Sequence, residues 1–162
     1  MLTAAQAWQA LQQIPDPELP AVSVCELGIV REVRADEDGV TVVVTPTYSG
    51  CPATQMIEDA IRSALEEAGA ASVSVETRLS PAWTSDWLTS EAHAKLRAHG
   101  VAPPHRVANE AAQTLHFIPP APSCPRCSAR DTVRLSEFGS TACKALYRCT
   151  QCREPFEYFK PI

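Results

Sequence analysis

Cys124-Pro125-Arg126-Cys127 and Cys149-Thr150-Gln151-Cys152 are two CxxC pairs with 21 residues between them. Two residues between thiols let a tight turn aim both sulfurs at one ion, and a second such turn completes a tetrahedral four-thiolate site. Residues 132–138 and 145–148 have strand character, and Glu-Pro-Phe-Glu-Tyr-Phe follows at 154–159. The spacing therefore predicts a zinc-ribbon module over 123–162. A module of about 40 residues buries too little surface to fold alone, whereas structural zinc contributes on the order of 10 kcal/mol of binding energy that becomes folding energy. Zinc held by Cys124, Cys127, Cys149 and Cys152 is the expectation, with iron or an iron-sulfur site as the alternative that tetrahedral sulfur also suits. Cys143 is open to three readings: an auxiliary ligand, a reactive thiol or a small buried hydrophobe.

Upstream of the ribbon, 81–122 reads as a packed linker. It contains Pro-Ala-Trp-Thr-Ser-Asp-Trp-Leu at 81–88, a short helical patch around Ser90 to His99, and Pro119, Pro120 and Pro122, which make the join to the ribbon extended and stiff. Residues 1–80 have a different pattern. Leu2, Ala5, Trp8 and Leu11 repeat at helical spacing until Pro-Asp-Pro-Glu-Leu-Pro at 15–20 stops the helix. Residues 22–34 and 40–45 carry β-branched runs around the turn Ala-Asp-Glu-Asp-Gly, a hairpin signal. Met56, Ile57, Ala60, Ile61, Ala64, Leu65 and Ala68 predict a helix over 53–68, stopped by Gly69, and 72–79 alternates as a half-buried strand. The fold class is thus α+β: a helix-strand-strand-helix-strand domain followed by a zinc ribbon.

The chain of 162 residues is 45% hydrophobic and 20% charged, the composition of a soluble globular protein. No window approaches the roughly 18 apolar residues of a membrane span, and the N-terminus lacks the basic region of a secretory signal, so the expected compartment is the cytoplasm. There, thiols hold metal more often than they form structural disulfides, and seven cysteines cannot all pair. A net charge of −5 supplies no basic face for a phosphate backbone, which excludes nucleic acid as a partner for the whole chain.

Two further segments look chemical. Cys51, followed by Pro52 at the expected first helical position, lies at the N-terminus of the long helix, where the dipole and free N–H groups favour thiolate. Asp16 and Glu18 lie in the acidic turn after the first helix and would complete a transient metal site if folded near Cys51. The plainer alternative, weighted at least equally, is that the prolines merely shape two turns. Cys25 reads as filler in an apolar strand. His93, His99, His105 and His116 show no metal-binding pairing and read as surface residues. No nucleophile elbow, Walker loop or dinucleotide motif is present.

The combination of Asp-Pro-Glu-Leu-Pro, the strand pair, Thr-Pro-Thr-Tyr-Ser-Gly-Cys-Pro-Ala at 45–53 and the following helix resembles the domain of SufT-type iron-sulfur assembly factors, over about residues 1–80. With residues 81–88, Cys-Pro-Arg-Cys, Phe-Gly-Ser-Thr-Ala-Cys-Lys-Ala-Leu-Tyr-Arg-Cys and the tail from Glu154, the chain resembles the PaaD (PaaJ) family of the bacterial phenylacetate pathway. The resemblance implies a non-catalytic accessory protein of the oxygenase that epoxidises phenylacetyl-CoA, assisting assembly of an iron or iron-sulfur centre. Its partners would be the di-iron oxygenase chain or the flavin and iron-sulfur reductase, with a homodimer left open. By position, the family's acidic turn falls on Asp16, Pro17 and Glu18, its reactive cysteine on Cys51, and its ribbon ligands on Cys124, Cys127, Cys149 and Cys152. Related tails often carry another cysteine where this chain has Lys160-Pro161-Ile162, which argues against a second metal site there. A structural subunit and a thiol oxidoreductase are the competing functions.

Overall fold

The computed structural model describes residues 2–107 and 120–162. The chain divides into two compact units, residues 1–83 with 87–92, and residues 84–86 with 93–162.

In the first unit, α1 (Ala4–Leu11) starts at a capping box in which Thr3 accepts from the Gln6 N–H and the Gln6 side chain accepts from Thr3 N–H. Its buried residues are Ala7 and Leu11, while Ala5 is exposed. The inward stripe is thus turned from the one that the sequence spacing suggests. β1 (Val30–Ala35) and β2 (Val40–Val44) form an antiparallel hairpin, α2 (Thr54–Glu67) crosses over, and β3 (Val73–Thr77) pairs parallel to β2. The order β1-β2-β3 makes β2 central, which is why Val40, Val42, Val43 and Val44 are all buried. α2 turns Ile57, Ile61 and Leu65 inward and packs against β3 and α1.

The strand expected over 22–34 begins only at Val30. Residues 23–28 instead form a turn, because Ser23 and Glu26 satisfy each other's main-chain N–H through their side chains, at 2.8 and 3.1 Å. Gly28 then takes φ +71°, a left-handed conformation that ends any extended run. Trp83 closes over this turn with its indole N–H donating to Leu27 O at 2.9 Å, and the Arg31 guanidinium lies 3.6 Å from the Trp87 ring centroid.

The second unit is built on a four-stranded sheet of order β4-β7-β6-β5, formed by β4 (Val101–Ala102), β5 (Thr132–Ser136), β6 (Lys144–Cys149) and β7 (Pro155–Phe159). β5, β6 and β7 form the antiparallel ribbon, and β4 adds a parallel strand along β7. β4 follows α3 (Ser90–Ala98) and a left-handed Gly100. The last residue is tied down: Thr84 Oγ1 and Ser85 N–H donate to Ile162 O at 2.7 and 2.9 Å. Of the expected proline-rich join, Pro120 and Pro122 are described, whereas Pro119, like His116, lies outside the described residues.

Candidate functional site

Cys124 and Cys127 sit in the turn before β5, while Cys149 ends β6 and Cys152 lies in the turn to β7. The two turns repeat one geometry. In each, the first cysteine's N–H donates to the carbonyl five residues on, Cys124 to Ala129 at 2.8 Å and Cys149 to Glu154 at 3.0 Å. In each, the residue after the second cysteine, Ser128 or Arg153, has φ 64°. Arg126 and Glu154 form an ion pair between the turns, and the Thr150 hydroxyl donates to Asp131 O at 2.9 Å.

The four sulfurs lie within 4.8 Å of one another, with Cys124 to Cys152 at 3.7 Å and Cys127 to Cys149 at 3.5 Å. A tetrahedral ion with bonds of about 2.3 Å to sulfur needs edges of about 3.8 Å, so the thiols are already spaced for such an ion. Cys124 and Cys149 are buried, whereas Cys127 and Cys152 are exposed. The buried pair joins Ala102, Phe156 and Tyr158 in the core, with Tyr147 packed against it. Tyr147 meets Tyr158 edge-on at 5.6 Å, and the Tyr158 hydroxyl lies 2.9 Å from His105 Nδ1.

Cys149 and Cys152 are shifted in opposite directions. The Cys152 N–H, helped by that of Gln151, lowers Cys149 to about 7 against the opposing effect of burial. The Glu154 N–H favours the Cys152 thiolate, but burial and the three neighbouring sulfurs outweigh it and push Cys152 up to about 12. Of these two, Cys149 is the readier to lose its proton, and Cys152 is the one that a bound cation would assist. Cys143 is not part of this group. It is buried, its carbonyl accepts from the Lys160 N–H at 2.9 Å, and Thr141 Oγ1 lies 3.0 Å from its sulfur.

In the first unit, Asp16 is 6% exposed and its Oδ1 accepts from the N–H groups of Glu18 and Leu19 at 2.9 and 2.8 Å. It shapes the turn that carries the half-buried Glu18. Cys51 is half-buried, and its carbonyl accepts from the Thr54 N–H at 3.2 Å. α2 begins at Thr54, so the position expected for Pro52 is corrected: Cys51 and Pro52 form a turn ahead of the helix, whose first main-chain bond runs from Ile57 to Ala53. Among the described residues the four ribbon cysteines are the one group of three or more such ligands, so the structure does not bring Asp16, Glu18 and Cys51 together in that way. Cys25, expected in a strand, lies in the 23–28 turn; burial, aided by the Glu26 carboxylate, pushes its thiol up to about 12.

Over 158 residues the chain is 49% identical to an Escherichia coli protein named as one of the subunits of 1,2-phenylacetyl-CoA epoxidase, covering 97% of this chain and 92% of that one. Residues 108–160 match the PaaD zinc beta ribbon domain. The chain belongs to the PaaD family. Its ribbon matches the PaaD domain over the segment that holds all four clustered thiols, and residues 4–77 match the iron-sulfur cluster assembly protein family. The PaaD chain is also 37% identical over 89 residues to the Fe-S protein maturation auxiliary factor YitW of Bacillus subtilis, spanning 54% of this chain and 86% of that factor. Two solved structures share the fold of its first domain. A domain of unknown function from Bacillus anthracis has a TM-score of 0.54 at 26% identity, covering 58% of this chain and 91% of that one. A conserved hypothetical protein from Thermotoga maritima has a TM-score of 0.51 at 30% identity, covering 58% and 93%.

Sequence spacing missed several groups that support the PaaD ribbon. Lys144 is 3% exposed, and its Nζ donates to Glu157 Oε2 at 2.8 Å, while Glu157 Oε1 accepts from the Ser140 N–H at 2.8 Å. The one available signal was a lysine amid apolar residues in β6. The histidines also need correction. His99 is exposed, but His93 and His105 are half-buried, and burial, with Arg106 and Arg97, lowers the pKa of His93.

Proposed function

We propose that this chain is a cytoplasmic, non-catalytic accessory factor that assists assembly of an iron or iron-sulfur centre in a phenylacetyl-CoA epoxidase. The observation carrying this reading is the union, in one chain, of a domain similar to Fe-S maturation factors and a ribbon of the PaaD type. The four ribbon thiolates hold structural zinc, which suits their spacing and shuts the site to exchange chemistry. They are therefore unavailable as a redox dithiol, which disfavours a thiol oxidoreductase. The ribbon docks the chain onto the oxygenase or its reductase. Cys51 offers a thiolate to the metal cargo, with Glu18 as a carboxylate partner on the turn that Asp16 shapes. A donor must release what it carries, so few ligands serve better than a closed site.

The test is the iron and sulfide content of the oxygenase and reductase chains purified from cells with this protein, without it, and with Cys51→Ser. The expected result is that deletion and Cys51→Ser both leave the client made but poorly metallated. One observation favours a second reading, a purely structural subunit: Asp16, Glu18 and Cys51 do not form a ligand group among the described residues. Full metallation without the protein, with activity restored by adding it back, selects that reading.

A further inference from the structure

The described residues expose six large apolar side chains, and three of them, Val133, Leu135 and Phe138, fall on β5 and the turn just after it, at 41%, 50% and 61% exposure. β5 is an edge strand whose ladder runs to β6 alone. Among the described residues, Val133, Arg134 and Leu135 make no main-chain bond outside that ladder. Edge strands of this kind are templates for another chain, and natural proteins usually blunt them with charge or cover. Here apolar side chains occupy the edge, Arg134 between them is ion-paired with the exposed Glu137, and further cations lie nearby. Arg148 lies opposite Val133, and Lys160 Nζ sits 4.5 Å from the Phe138 ring centroid. Residues 120–162 carry seven Lys and Arg against four Asp and Glu, a local charge of +3 in a chain of net −5.

We propose that the free edge of β5 captures an extended, acidic segment of a partner polypeptide as an additional strand of the ribbon sheet. Main-chain hydrogen bonds supply the attachment, and side chains at alternate positions supply the choice of partner. Apolar residues of the segment cover Val133 and Leu135, while its carboxylates, on the other face of the strand, compete with the exposed Glu137 for Arg134. A second copy of this chain is a poorer occupant, because it would bring together two ribbons that each carry a local charge of +3. Taking the partner to be the metallated client rests on the function proposed above; the capture of an acidic strand does not.

The probe is a fluorescently labelled octapeptide of alternating Glu and Val, titrated into the zinc-loaded full chain. Saturable binding is expected, with slowed amide exchange at 133–136. The affinity should fall on the order of tenfold when the peptide is N-methylated at alternate residues, when Lys replaces its Glu, and in Leu135→Glu, whose zinc content verifies the fold. No saturable binding by about 1 mM, or equal binding of the N-methylated peptide, overturns the proposal. Self-association of the chain that Leu135→Glu abolishes also overturns it, in favour of a second copy. In cells, client metallation that needs this chain but ignores Leu135→Glu removes β5 as the client's dock and leaves the maturation role standing. Metallation independent of the chain removes the maturation role, and the peptide result then decides β5.

Discussion

Replacing Glu157 by Gln should loosen the ribbon by about 2–3 kcal/mol, because the change strands a buried ammonium. Lys144 has a side chain 4% exposed and that of Glu157 is 27% exposed, with 2.8 Å between charged atoms. The loop closes down on the carboxylate: a Cβ on Gly139 would come 2.8 Å from Glu157 Oε1, the atom that accepts the Ser140 N–H. Burial alone would raise the pKa of Glu157, but the Lys144 ammonium and Ser140 outweigh it and hold it below 4.5. Losing one partner of a fully buried pair costs about 3–5 kcal/mol, and the partial exposure of Glu157 reduces that figure. The sign with pH follows from the depressed pKa. The contribution is complete above the ordinary carboxylate range and is lost as pH falls through the folded value, so the gap between wild type and variant should be constant near neutrality and close in acid. The assay is zinc release against urea at buffered free zinc, since bound metal shifts apparent stability. Trp8, Trp83 and Trp87 all belong to the first unit, so tryptophan emission serves as an internal control. Glu157→Gln combined with Lys144→Met should recover most of the loss. A single variant within about 0.5 kcal/mol of wild type, or a double variant no better than the single, would refute the reasoning.

Stripping zinc with a chelator, or Cys124→Ser, should remove on the order of 10 kcal/mol from the ribbon and unfold it while tryptophan emission stays native; a ribbon β-signal unchanged in the metal-free protein would count against the four-thiolate reading. In the zinc-loaded protein, alkylation followed by mass spectrometry should label Cys51 before Cys25, because a thiol at about 12 is thiolate in about one molecule in ten thousand at pH 8. The reverse order would overturn that ranking. Gly28→Ala should cost about 2–4 kcal/mol in urea unfolding followed by tryptophan emission, since it forces a side chain into φ +71° and sets a methyl 2.8 Å from Trp87 Cβ and 3.0 Å from its carbonyl oxygen. A cost under about 1 kcal/mol would show that the turn yields.

What the sequence determined by itself was local. Two CxxC turns need only the residues between their cysteines to aim sulfur at one point, so the four thiols that cluster could be named from spacing. The repeat of Ile57, Ile61 and Leu65 likewise placed α2 to within a residue at each end. Where the pattern misled, a short-range competitor intervened: Ser23 and Glu26 cap each other and Gly28 turns left-handed, so β-branched residues that read as strand fold into a turn. The tertiary structure alone decided the rest, because those features depend on residues far apart in the chain. The two residues of β4 form a strand only because β7 offers its edge. Lys144 can be buried only because Glu157, thirteen residues on, meets it across the ribbon. Cys143 is kept out of a cluster six residues away, and Asp16 is committed to its own turn, by hydrogen bonds and packing that no spacing rule encodes.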